Sequence, residues 1–193
     1  MRPVPRSFFA RDSRIVAPDL LNKLLVRGDR VGRIVEVEAY AGSEDPASHG
    51  FRGPTPRNEV MFGPAGHLYV YFTYGMHFCA NAVCGMVGES SAVLLRALAP
   101  VEGLDEMRAA RGSAARQDRD LCSGPAKLCQ AFGIDRSQDG ADLVGGEDVG
   151  VFDDGTPPPT VAGVSRRVGI SVAVDEPWRW FVAGDPNVSG SPR

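Results

Sequence analysis

Apolar and polar residues alternate from Val35 onward in "RIVEVEAY", Arg33 to Tyr40, with Val35, Val37 and Ala39 on one set of positions and Glu36, Glu38 and Tyr40 on the other. A period of two marks a strand with two unlike faces, so residues 31–40 are predicted as a strand carrying two carboxylates and a tyrosine on one side. Two similar runs in "HLYVYFTYGMHFCANAV" (67–83) are interrupted around Tyr74, Gly75 and Met76, which predicts a β-hairpin. "SAVLLRALAP" (91–100) reads as a buried strand in which Arg96 is out of character. Helical patterning is expected over 17–28, with Asp19 near the start and Gly28 as the stop, and again over 104–116 and 123–132, the last opened by Ser123 with Pro125 in its first turn. Residues 1–13 read as an extended arm and 187–193 as a tail. The Gly-, Pro-, Ser-, Asn- and Arg-rich stretch 41–66 is a long loop with little reason to bury itself, and loops of that length in small domains are usually functional or disordered. The segment 142–161 is a hairpin or loop stopped by prolines, and strand character returns after it. Strands and helices interleave without a regular βαβ array, so the expected class is α+β in a single mixed domain.

At 193 residues and 43% hydrophobic composition the chain is long enough to bury one substantial core. Its formal net charge of -3 supplies no overall attraction to nucleic acid, so any such binding needs a local basic surface. Lys23 and Lys127 are the only lysines; arginine carries the remaining positive charge, and its planar fork suits phosphate and carboxylate. Arg2, Arg6, Arg11 and Arg14 have no apolar run behind them, so no signal peptide is expected and a cytoplasmic location is the default. The uncharged run 60–88 contains Tyr69, Tyr71, Thr73, Tyr74, His77 and Asn81, which suits a hairpin and not a membrane span. Cys79, Cys84, Cys122 and Cys129 form no CxxC pair and are expected as buried free thiols, not metal ligands.

Several residues invite chemistry. Glu38 among apolar neighbours suits a general base if it is desolvated, whereas the plain alternative is a solvated face shared with Glu36. His49 then follows across a polar turn, where an ordinary loop histidine is the competing reading. Tyr74 at a hairpin tip is either a wedge between base steps or a hydrogen-bonded turn residue, and Tyr69 and Tyr71 either line a pocket or pack in the sheet. Asn81 and Arg96, set in apolar strands, both need partners, and Glu38 is a candidate for Arg96. "CSGPAKL" offers free backbone N–H groups near Lys127, as a phosphate site or a plain helix cap. Glu36 and Glu38, about 6 to 7 Å apart on one strand face, also fit the carboxylate pair of sugar hydrolysis.

Four stretches, "RIVEVEAYAGSEDPASH", "PRNEVMFGPAGHLYVYFTYGMHFCANAV", "VLLRALAPVEG" and "LCSGPAKLCQAFGI", resemble in order the alkyladenine (3-methyladenine) DNA glycosylase family, the mammalian-type group also found in bacteria, over about residues 14 to 189. The resemblance implies one domain with a curved antiparallel sheet, a protruding hairpin and surrounding helices. It implies that Glu38 activates a water and Arg96 holds both in place, and that water replaces a damaged purine at the sugar C1′ to leave an abasic site. Tyr40, His49, Tyr71 and Asn81 would form the base pocket, with the extruded base between Tyr71 on one side and Tyr40 with His49 on the other. Asn81 would disfavour the exocyclic amino group of guanine, and Tyr74 would fill the gap left in the duplex. Arg52, Arg57, Lys127, Arg166 and Arg167 are assigned to the DNA backbone on charge and position. The implied partner is double-stranded DNA containing damaged purines; no metal, organic cofactor, membrane or lysine Schiff base is expected, and a monomer is. A catalytically silent damage-binding protein with the same pocket is the alternative.

Overall fold

The structure is a computed structural model and describes residues 1–73 and 75–190. In chain order its elements are β1 (Arg2–Pro3), α1 (Arg6–Phe9), α2 (Ser13–Leu20), β2 (Leu24–Arg27), β3 (Arg30–Ala41), β4 (Leu68–Thr73), β5 (His77–Cys84), β6 (Ser91–Glu102), α3 (Leu104–Arg111), α4 (Arg119–Cys122), α5 (Pro125–Phe132), β7 (Val149–Asp153), β8 (Gly163–Ser165) and β9 (Arg179–Phe181). The strands form one curved antiparallel sheet in the order β1-β7-β2-β3-β6-β5-β4, with β9 pairing β3 and β8 pairing β9. β3 organises this sheet. Its first half lies between β2 and β6, and from Glu36 to Glu38 the β2 side is taken over by β9.

The alternation read in the sequence has its physical counterpart here. Val37 and Ala39 of β3, Val93 and Leu95 of β6, Ala80 and Ala82 of β5 and Leu68 and Val70 of β4 face one way and join α2 and α5 in the main core. Removing each such side chain from water contributes about 1.5–3 kcal/mol for the larger ones. The residues between them face the opposite way, where the 41–66 stretch, residues 168–172 and Pro125 at the start of α5 close over the sheet. This second face holds the candidate site.

Four expectations about elements are corrected. The helix expected over 17–28 is α2, which begins earlier at Ser13, capped by Asp12 accepting the Arg14 N–H at 2.8 Å, and ends at Leu20. Asn22 then takes a positive φ of 69°, and Leu24–Arg27 becomes a strand paired on both edges, with β3 and β7. The leucines there fit either period, and two complete ladders of hydrogen bonds decide for the strand. Residues 1–13 are not extended throughout: β1 pairs β7, Arg6–Phe9 is helical, and Val4 and Phe9 sit in the core. The stretch 41–66 buries Asp45, Ser48, Asn58 and Met61 and contains 3-10 turns at Gly42–Glu44 and Glu59–Phe62. The expected tail docks through Ser189, as described below. The hairpin β4–β5, the strand β6 and helices α3 and α5 fall where they are expected, though α3 stops at Arg111 and α5 is capped by Gly124, not Ser123. All four cysteines are buried and free.

Candidate active site

The strand register assembles the site in rows. Glu38 lies opposite Leu94, Leu94 opposite Asn81, and Asn81 opposite Tyr69, so four strands contribute one line of side chains on one face. Tyr40 opposite Ala92 begins the next row, and Cys79 opposite Tyr71 belongs to the row on the other side. Tyr40, Tyr69, Tyr71, Asn81 and Arg96 thereby line a single cavity of about 430 Å³, which His49 and Arg57 also line from the 41–66 stretch.

Arg96 reaches this face through paired irregularities. Ile34 pairs Leu98 and Glu36 pairs Ala97, leaving Val35 as an extra residue on β3; Val37 then pairs Leu95, leaving Arg96 as an extra residue on β6. Bulges of this kind re-aim a side chain. The Arg96 guanidinium lies between two carboxylates, with Nε donating to Glu36 Oε1 at 2.8 Å and Nη1 3.2 Å from Glu38 Oε1. Glu36 is not on a solvated face. It is wholly buried, accepts from Arg179 Nε at 2.7 Å, and is closed off by the Ser189 N–H at 2.5 Å and the Ser189 hydroxyl at 2.9 Å. With three donors on Oε1 and the Ser189 N–H on Oε2 it is an anchor, buried away from the cavity and not placed for acid–base work on a sugar. Burial works to raise its pKa, and the Arg96 charge with the surrounding donors outweighs that and holds it below the ordinary range.

Glu38 has the opposite balance. Its carboxylate is fully buried just behind the cavity wall, and burial raises its pKa more than the Arg96 charge, the Val168 N–H and the Tyr40 hydroxyl lower it. Val168 N–H donates to Oε1 at 2.7 Å and Tyr40 OH to Oε2 at 3.0 Å. A carboxylate offers about four lone-pair directions. Val168 and Tyr40 occupy one on each oxygen and Arg96 adds its charge beside Oε1, which leaves acceptor capacity on Oε2. Burial and the adjacent carboxylate push the Tyr40 phenol far up, so it stays a donor.

The 41–50 loop is pressed onto the β5–β6 connection, where a Cβ on Gly42 would stand 2.0 Å from the Glu89 carbonyl oxygen and one on Gly50 2.1 Å from Ser90 Oγ. Asn58 ties the loop from below, donating to the His49 carbonyl at 2.8 Å. His49 sits at the cavity rim, with Nδ1 3.0 Å from Tyr69 OH. Partial burial of the ring and the Arg57 charge hold its pKa below the usual histidine value, which keeps it neutral at neutral pH. Its ring centroid is 4.4 Å from that of Tyr71 in an edge contact, and Tyr71 stacks on Tyr69 at 5.6 Å. Two rings in contact leave no slot between them. His49 and Tyr71 therefore form one wall, which corrects the expected grouping of His49 with Tyr40; the open side of that wall faces the rest of the cavity, which Tyr40 lines. Asn81 is buried and donates to Tyr69 O at 3.1 Å.

The remaining assigned residues are dispersed. Arg57 donates to Phe72 O at 3.0 Å beside the Tyr71 ring. Arg52 is exposed, Lys127 Nζ lies 3.3 Å from Ser123 Oγ, and the exposed Arg166 pairs with Asp175 at 2.7 Å. Arg167 is corrected: its side chain is wholly buried and paired with an equally buried Asp45, so no part of its guanidinium is left for a phosphate. Tyr74 lies outside the described residues. Sequence reading passes over Glu36 as an anchor, and over Asp45, Val168, Arg179 and Ser189. The available signal for Glu36 is its place on the same strand face as Glu38; Asp45 lies in the loop between Tyr40 and His49 with no pattern to single it out, and Val168, Arg179 and Ser189 come from segments far away in the chain.

The methylpurine-DNA glycosylase family model matches residues 7–186. A protein of Burkholderia lata named "Putative 3-methyladenine DNA glycosylase" is 59% identical over 189 residues, covering 97% of this chain and 91% of the relative. Proteins of the same name from Carboxydothermus hydrogenoformans and Streptomyces avermitilis are 48% and 49% identical, covering 96% and 97% of this chain and 98% and 91% of the relatives. By the reach of that match and the identity with these relatives, the chain belongs to the methylpurine-DNA glycosylase family.

Proposed function

We propose that this protein is a monofunctional DNA glycosylase that flips alkylated purines, such as 3-methyladenine and 7-methylguanine, out of double-stranded DNA and hydrolyses their N-glycosidic bond; deaminated and etheno purines are further candidate substrates. The observation that carries this reading is Glu38: a buried carboxylate held by two hydrogen bonds and the Arg96 charge, with acceptor capacity left on Oε2, behind a cavity lined by tyrosines. That cavity falls within the usual range for small-ligand sites, about 300–1,000 Å³.

In this mechanism the flipped base enters between the His49–Tyr71 wall and Tyr40. A cationic alkylated purine is attracted to electron-rich ring faces, and the neutral His49 adds no opposing charge. Glu38 takes a proton from a water as its oxygen bonds to C1′, and the electron pair of the breaking bond leaves with the base. The cationic base departs neutral, so it needs no proton. Neutral lesions such as hypoxanthine need one. Arg96, fixed by Glu36, steadies the Glu38 charge. Asn81 in the central row acts as a steric filter against guanine, and Tyr74 serves as the wedge in the vacated stack. Water is the nucleophile because neither lysine lines the cavity: Lys23 pairs with Asp153 at 3.1 Å, and Lys127 lies beside Ser123. No strand cleavage follows from such a reaction.

The test is abasic-site formation in duplex oligonucleotides that carry one defined lesion. Glu38→Gln is expected to lower release by about 10²–10⁴-fold while lesion binding persists. Tight lesion binding without release by the parent protein would replace this reading with a silent damage-binding one.

A further inference from the structure

We infer that Arg167 is a positioning residue for base release, fixing the two groups, the Tyr40 hydroxyl and the Val168 N–H, that orient the Glu38 carboxylate. The inference rests on the glycosylase reading above. Arg167 reaches the two oxygens of Asp45 at 2.5 and 2.9 Å. It also donates to the Ala39 and Ala173 carbonyls at 3.1 and 3.4 Å. Its guanidinium carbon is 4.8 Å from the centroid of the Tyr40 ring and 5.0 Å from that of Trp178, so Tyr40 is backed by a cation.

A buried ion pair of this kind is often no more stabilising than well-packed apolar residues of the same size. What it supplies here is geometry. The amide of the very next residue, Val168, holds Glu38 Oε1 at 2.7 Å, and Tyr40, whose ring the guanidinium supports, holds Oε2 at 3.0 Å. Asp45 in turn accepts from the Ala41 and Ala47 amides at 3.3 and 3.0 Å, which anchors the segment leading to His49. One side chain thus joins the Tyr40 wall, the His49 loop and the carboxylate. It has no contact with the cavity itself and acts only through these groups. A lysine carries the charge but lacks the fork and the flat face, so it cannot make the same set of contacts.

The groups facing Glu38 are Arg96 from β6, Tyr40 and Glu36 from its own strand, the Cys79 thiol from β5 and the Val168 N–H. The Val168 and Tyr40 hydrogen bonds both favour the ionised carboxylate. Loosening them raises the pH at which Glu38 gains a proton.

The experiment measures single-turnover release of 7-methylguanine and 3-methyladenine from methylated duplex DNA by the parent protein, Arg167→Lys and Asp45→Asn, across pH, alongside circular dichroism. The folded variants are expected to release base about 10- to 100-fold more slowly at saturating enzyme, with the acid limb moved to higher pH and the affinity for methylated DNA changed much less. Should Arg167→Lys not fold, Asp45→Asn, which keeps the shape of the pair, carries the same expectation. Parental rates and an unmoved acid limb in the folded variants would overturn the inference and leave Arg167 a purely structural residue. A parent protein that releases nothing would remove the functional reading, and this inference with it.

Discussion

Glu36 and Glu38, two residues apart on one strand, differ in what surrounds them more than in what they are. Glu36 is held by two arginines and Ser189, whereas Glu38 is buried with fewer compensating charges, and its pKa moves up while that of Glu36 moves down. A base must be ionised to accept a proton, so release falls as pH drops through the Glu38 pKa. Because that pKa is raised, the acid limb of the single-turnover rate is expected above the ordinary glutamate value of about 4.3. His49→Gln distinguishes the two titrating groups: a limb that survives this change belongs to Glu38. Much of this was legible from residue types alone, since a carboxylate in "VEAY" and an arginine in "LLRAL" demand each other once both are buried. The protonation contrast was not legible, because it depends on Arg179, Ser189 and Val168, which arrive from more than a hundred residues away.

Elements were readable where one period was unambiguous. β3 and the β4–β5 hairpin alternate, β6 reads as a short apolar run broken by Arg96, and the helices α3 and α5 carry their own stop and start signals. The sequence misleads where leucines satisfy both periods, as in β2, or where a polar segment is buried by long-range pairing, as in the Asp45 loop. The C-terminal segment is the sharpest case. Its composition reads as a tail, yet Ser189 closes the Glu36 cluster and its carbonyl accepts from Arg179 Nη2 at 3.1 Å. A chain ending at Val188 loses two hydrogen bonds to a buried charge. It is expected to be less stable by about 2–3 kcal/mol, read as a lower urea midpoint with an unchanged slope, and an unchanged midpoint would show that the segment contributes nothing.

At the scale of the whole molecule, an acidic chain is being asked to hold a polyanion. Four cations, Arg52, Arg57, Lys127 and Arg166, remain the proposed phosphate contacts once the buried Arg167 is removed. DNA affinity is therefore expected to fall with salt along a slope of about -3 to -4 on logarithmic axes, with each alanine substitution in this set lowering the magnitude by about 1. A slope near zero would rule out this set. Among the described residues no helix is long and apolar enough to cross a membrane. The two-faced sheet has a further consequence for how the protein can change over time. Leu94, Cys79 and Ala92 face the cavity, while Leu95, Ala80 and Val93 beside them face the core. Cavity-lining positions outside the Glu36–Arg96–Glu38 cluster can thus vary without repacking the main core, so new lesion preferences can be explored by mutation on one side of the sheet while most of the folding energy is inherited from the other.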